Sequence, residues 1–183
     1  MMARMRDLAL SAFVCLSLAA CNGPTNPVTS SNYQSLPADQ VMYGMEHNMS
    51  NGGIRTAHLK ADTALMFNDS SAIQLRVVDL DVFTEAGIVR AELTSQKGEL
   101  DQTTNRMVAR GSVVLIVKGE NGRTIYTEEL HYDPNQKQIW SDVKIRQVFP
   151  DGRQNTANSF RADDQFKNFT AQGVTGSAGV IRF

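Results

Sequence analysis

The chain has 183 residues, with 18 Lys or Arg against 19 Asp or Glu and a formal net charge of −1. That length suits one domain with a real core, and the even charge leaves no electrostatic footprint for nucleic acid. With only two cysteines, Cys15 and Cys21, no disulfide framework or thiolate metal site is available, so stability must come from packing.

The first element in chain order is a leader. Arg4 and Arg6 precede an apolar run, Leu8 to Ala20, that is short for a bilayer span. It closes on Leu18-Ala19-Ala20-Cys21, which resembles a bacterial lipobox. The expected division is a signal peptide at 1–20, a lipidated Cys21 with a flexible tether at 21–43, and a folded domain at 44–183. Asn22 to about Leu36 is rich in Pro, Asn, Ser and Thr and has little to bury, as a solvated tether would.

From about Val41 onward, β-branched and aromatic runs alternate with Gly, Asn and Asp, which predicts an all-β domain. In Ser112–Tyr132, Val113, Leu115 and Val117 share one face by the two-residue period. Asn121-Gly122 offers the positive φ angles of a hairpin turn. Asp133-Pro134-Asn135 and Asp151-Gly152 read as two further turns. A weak repeat lies beneath these signals. Thr56-x-x-Leu59-x-x-Asp62 recurs as Thr127-x-x-Leu130-x-x-Asp133, with looser echoes ending at Asp101 and Asp163. Each unit reads as a strand, an Asp-led turn and a returning strand, with Met107, Ile139 and Phe169 six residues beyond three of the aspartates. The expected product is a single domain of stacked antiparallel hairpins.

Nothing in the chain supports catalysis. His47, His58 and His131 lack metal-ligand spacing, and no metal or other cofactor is expected. Asp79 and Asp81 fall on one strand face, where they keep an outer surface wet more readily than they form a catalytic pair. There is no nucleophile elbow, phosphate-cradling loop or dinucleotide fingerprint.

Leu93–Asp101 (LTSQKGELD), Arg110–Ile145 and Ser159–Gly176 together resemble LptC, a periplasmic component of lipopolysaccharide export. They also resemble the wider OstA-like group that shares its β-jellyroll with LptA and the amino-terminal part of LptD. The resemblance runs from about Gly44 to Gly176. Its carriers are Gly98-Glu99-Leu100-Asp101, Gly111-Ser112-Val113, Leu130-His131-Tyr132-Asp133 and the closing Phe169–Gly176. Two features depart from the family. A lipid anchor replaces the usual transmembrane helix, and Ser112 stands where the family has Asn.

The resemblance implies a β-jellyroll whose apolar interior holds lipopolysaccharide acyl chains. Alternation nominates Leu75, Val77, Val113, Leu115, Val117, Ile125, Leu130, Tyr132, Ile139, Val143, Ile145 and Phe160 as inward-facing, with plain core packing as the competing role for each. The implied partners are lipopolysaccharide, an inner-membrane LptBFG-like ABC transporter and an LptA-like periplasmic jellyroll. That jellyroll would be met at a carboxy-terminal edge near Val174. The expected location is the periplasmic face of the inner membrane, lipid-anchored, which the resemblance favours, although Asn22 under the enterobacterial sorting rule favours the outer membrane. A jellyroll lipoprotein with a filled core, serving as an assembly scaffold without lipid cargo, is the alternative.

Overall fold

The structure is a computed structural model that describes residues 38–120 and 122–177. The leader, Cys21 and most of the proposed tether therefore lie outside the described residues. Six long strands come first: β1 (Gln40–Asn51), β2 (Ile54–Met66), β3 (Ala72–Phe83), β4 (Val89–Asp101), β5 (Met107–Val117) and β6 (Arg123–Asp133). Six short ones come after them: β7 (Gln138–Ser141), β8 (Ile145–Val148), β9 (Gln154–Ala157), β10 (Ser159–Asp163), β11 (Phe169–Gln172) and β12 (Thr175–Ser177). β1 begins at Gln40, so the folded part starts ahead of Gly44, the boundary expected from sequence.

Strands β1 to β6 pair antiparallel in order, and β6 then divides its partners. Its Thr124–Thr127 half pairs β8, which continues to β9 and β12, while His131–Asp133 pairs β7, which continues to β10 and β11. The result is one antiparallel sheet bent along a line that crosses β1 to β6, with inward residues of both halves in a single core cluster. This is the β-jellyroll that the resemblance implies.

The bend has a local cause in the backbone. Tyr43↔Thr63 and Met45↔Ala61 flank a missing pair at Gly44, whose φ is 63°. Ala61↔Val78 and Thr63↔Arg76 likewise skip Val77, which has a φ of 51°. In β5 the irregularity falls at Gly111 (φ 77°) and Ser112 (φ 49°). At Gly44 and Val77 the pairing resumes in the same register, so a positive φ alone turns the strand there. In β5 an extra residue stands against both neighbours, and such a bulge bends the strand and re-aims the side chains beyond it.

Re-aiming changes which residues face inward. In β3, Ile73 and Leu75 point into the core, and after the kink it is Val78, Leu80 and Val82 that do so. Val77 is therefore 66% exposed, not interior as strict alternation from Leu75 predicts. Between β7 and β8 the chain leaves the ladder at Asp142–Lys144, and Val143 is 38% exposed, a second correction.

The Asp-led turns are confirmed at three of the four repeats. Asp101 accepts the amides of Thr103 and Thr104 at 2.8 and 2.9 Å, and Asp133 those of Asn135 and Gln136 at 2.9 and 3.0 Å. Asp163 accepts from Gln165, Lys167 and Asn168 at 3.0, 3.0 and 2.8 Å. The turns stack: Arg106 Nε donates to Asp133 Oδ2 at 2.6 Å, and Asn135 Nδ2 to the Thr104 carbonyl at 2.6 Å. Asp62 instead sits mid-strand at the kink of β2, because that copy lacks a turn after it. In the β5–β6 hairpin the positive φ described is at Gly119 (95°), whose carbonyl accepts the Gly122 amide; Asn121 lies outside the described residues.

Candidate functional site: the apolar interior and its two edges

Register places the inward residues in rows that cross the sheet. One runs Ile73–Leu100–Met107–Tyr132–Ile139–Ala162–Phe169, from β3 to β11. A second, on the other side of the bend, runs Leu59–Leu80–Leu93–Leu115–Ile125 and meets Gln147 on β8. The two halves face each other across these rows. Each fully buried Leu, Ile or Phe contributes roughly 1.5–3 kcal/mol.

Ten of the twelve residues nominated from sequence are in this interior: Leu75, Val113, Leu115, Val117, Ile125, Leu130, Tyr132, Ile139, Ile145 and Phe160 are all buried. The structure adds Met49, Leu59, Leu80, Leu93, Leu100 and Met107, all almost fully buried. Plain alternation finds Leu80 and Val82 once a one-residue slip is allowed at Val77, and Gly98 and Leu100 once one is allowed after Ser95. In this state the interior is filled by its own side chains.

Polar groups at the interior are few. The Tyr132 hydroxyl is buried without a hydrogen-bond partner among the described residues, and burial pushes its phenol pKa upward. Burial also raises the pKa of Asp164. It lines a cavity of about 540 Å³ at one end of the roll, with Arg55, Phe83, Glu85, Lys137 and Gln165 among the other walls. Lys137 pairs with Glu85 at 3.5 Å there, and the Arg55 guanidinium lies 4.2 Å over the Phe83 ring. Among the described residues, no group of three or more His, Cys, Asp or Glu is placed to hold a metal ion. His131 stacks on Trp140 at 5.0 Å and bonds Glu129 at 2.9 Å, while His47 Nε2 meets Asn105 Oδ1 at 3.1 Å.

The sheet has unpaired edges. Among the described residues, β1 pairs only β2, and at the other end β11 pairs only β10 and β12 only β9. Unpaired edges are templates for another chain's strand. Val174, nominated from sequence as the partner edge, is 54% exposed but lies in the gap between β11 and β12, outside both ladders. Gly173, at φ 64°, turns the chain there. The edge itself is β11. Asp163 N donates to the Asn168 carbonyl, and by antiparallel alternation the Thr170 amide then faces β10 while the Ala171 amide faces outward.

No curated protein is detectably similar to this chain in sequence. Among solved structures it is similar to LptH of Pseudomonas aeruginosa, described as the LptA-homologous periplasmic component of the conserved lipopolysaccharide transport device. That likeness has a TM-score of 0.50 at 17% identity, covers 69% of this chain and 89% of the other, and bears on the fold. The family model for LptC-related lipopolysaccharide-assembly proteins matches residues 8–175. The chain thus belongs to the LptC-related family, as a periplasmic, non-enzymatic component of lipopolysaccharide transport.

Proposed function

We propose that this protein binds lipopolysaccharide in its interior, accepting it from an inner-membrane LptBFG-like ABC transporter and passing it to an LptA-like jellyroll. Lipidated Cys21 would hold it at the periplasmic face of the inner membrane. One acyl chain anchors only marginally, so the reading requires the several chains a lipobox cysteine carries.

The observation that carries this reading is the row from Ile73 to Phe169, apolar except for the Tyr132 hydroxyl, which ends on the edge strand β11. The row itself carries no charged side chain before the edge where the next jellyroll would add. Each buried methylene contributes about 0.8 kcal/mol, so partial insertion gives useful but reversible affinity. The filled interior favours a second reading, a scaffold without cargo, because a lipid must displace side chains to enter.

One experiment decides between them. A photo-crosslinker at Val113, Leu115 or Val117 should capture lipopolysaccharide, whereas one at Lys118 or Glu120 should not. Equal capture at both sets, or none at either, supports the scaffold. Anchoring is tested separately: Cys21→Ser should abolish acyl labelling, and labelling that survives refutes the lipid anchor.

A further inference from the structure

The outer face of the same sheet carries an arrangement that folding alone disfavours. Arg76 on β3 stands directly opposite Lys97 on β4, and Lys97 directly opposite Arg110 on β5. All three are exposed on the face away from Leu75, Gly98 and Ala109, which point inward. Like charges directly opposite one another on neighbouring strands are destabilising. Arg110 is held by Glu129 at 2.8 Å and Glu99 at 3.7 Å, whereas Arg76 and Lys97 have no carboxylate among the described residues. On a chain of net charge −1, such a cluster is a local exception.

The row continues toward the free edge. Arg76 pairs with Thr63, and Thr63 with Tyr43 on β1, which is 69% exposed. Val41, on the same face of β1, is 36% exposed. An exposed aromatic and an aliphatic residue on β1, separated from the unneutralised cations by buried Thr63 of β2, match the chemistry of a membrane–water boundary. Tyr sits at headgroup depth there, and basic side chains meet lipid phosphates.

The route of the chain points to the same surface. Tyr43 is the fourth residue of β1, the strand that the segment from Cys21 enters. The intervening residues 22–37 can reach at most about 55 Å fully extended. If Cys21 is lipidated as proposed above, the start of β1 stays within that reach of the bilayer.

We infer that the row Tyr43–Arg76–Lys97 is a membrane-facing surface that rests the jellyroll on anionic lipid headgroups. Contact there neutralises the opposed cations.

The test uses the chain from Asn22 to Phe183, which contains the whole described sheet and its core but no lipid-bearing cysteine. It is sedimented with vesicles of phosphatidylglycerol and phosphatidylethanolamine, and with vesicles of phosphatidylcholine alone. Binding should favour the anionic vesicles and weaken with salt. Arg76→Gln/Lys97→Gln should reduce it by about tenfold or more, with an unchanged or higher melting temperature. Tyr43→Ser should reduce it by a smaller factor that salt does not alter. Lys144→Gln/Lys167→Gln, with the same charge change elsewhere, should bind as the parent does. Equal binding to both vesicle types overturns the inference, as does an equal loss in the two double variants. Capture of lipopolysaccharide micelles without vesicle binding also overturns it, by making these cations a cargo contact. Acyl-chain capture in the interior is read on different positions, so failure here leaves that reading standing.

Discussion

The first six strands and the last six turn the same corner in different ways. β1 to β6 are 11–13 residues long, and each crosses the bend as one strand. β7 to β12 are 3–5 residues long, and each stays on one side of it. In the front half the corner is a kink inside a ladder, at positions such as Gly44, Val77 and Gly111-Ser112. In the rear half the chain leaves the ladder, at Asp142–Lys144, Asn158 and Gly173-Val174. A kink keeps nearly every backbone group paired, so the front half is a continuous platform. At the breaks the backbone groups turn to other partners, Asn158 N to the Gln172 carbonyl and Val143 N to Ser141 Oγ, and the unpaired side lies instead along β11.

If the two halves nevertheless share one core, truncations in either should cost alike. Leu80→Ala in the front and Phe160→Ala in the rear should each destabilise by about 3–5 kcal/mol, with a single unfolding transition in urea. A much smaller cost for Phe160→Ala, or a second transition, would show that the rear half melts on its own.

Under the proposed function, proline substitutions in the rear edge strand should separate partner binding from folding. Ala171→Pro removes an outward amide and should leave the melting temperature nearly unchanged while abolishing pull-down of an LptA-like partner. Thr170→Pro removes a ladder bond to β10 and should lower the melting temperature. Loss of stability in both variants would place β11 inside the domain's own sheet contacts instead of at a docking edge. Proline at Val174 tests neither, because that residue lies in the break.

The two kinds of corner differ in what they tolerate. At Gly173 a Cβ would come within 2.3 Å of Asn158 Nδ2 at a φ of 64°, so Gly173→Ala should cost about 1–2 kcal/mol. At Val77 a β-branched residue already holds a φ of 51°. Val77→Gly relieves that strain while adding backbone entropy, and the two effects should cancel to within about 0.5 kcal/mol. Thermal unfolding of both variants checks the contrast.

The smallest effect is acid sensitivity at the stacked turns. Burial works to raise the Asp163 pKa, but the amides of Lys167 and Asn168 outweigh it and hold the carboxyl below its usual range. A depressed folded pKa contributes stability above the unfolded value, and that contribution is lost as pH falls through the folded value. Melting temperature should therefore drop as pH is lowered below about 4, and less steeply in Asp163→Asn. Asp164 has the opposite sign. Burial raises its folded pKa, so its charge opposes folding near neutrality and Asp164→Asn should raise the melting temperature at pH 7. A lower melting temperature in that variant would mean its carboxylate makes a contact the geometry does not account for.

Much of the fold is legible in the residues alone. Alternation in Val113, Leu115 and Val117 places their inner face because β5 has no kink beyond Ser112. The Asp-led turns at Asp101, Asp133 and Asp163 are local events, in which a side chain bonds amides a few residues ahead. The family motifs likewise lie in stretches that form these turns and strands. The places where parity slips are not legible in this way. Nothing local marks Val77 as the residue that leaves the ladder, since its neighbours alternate as an ordinary strand would. Its exposure comes from the bend that Gly44 and Gly111 impose on the strands around it.

The all-β class, the turns and most of the core are thus written in the amino-acid order, because they depend on side-chain period and on bonds within a few residues. The exposure of Val77 and Val143, the edge at β11, and the opposition of Arg76, Lys97 and Arg110 emerge only in the folded sheet. They depend on strand register, and register joins residues distant in sequence through a ladder whose slips are set by the bend of the whole sheet.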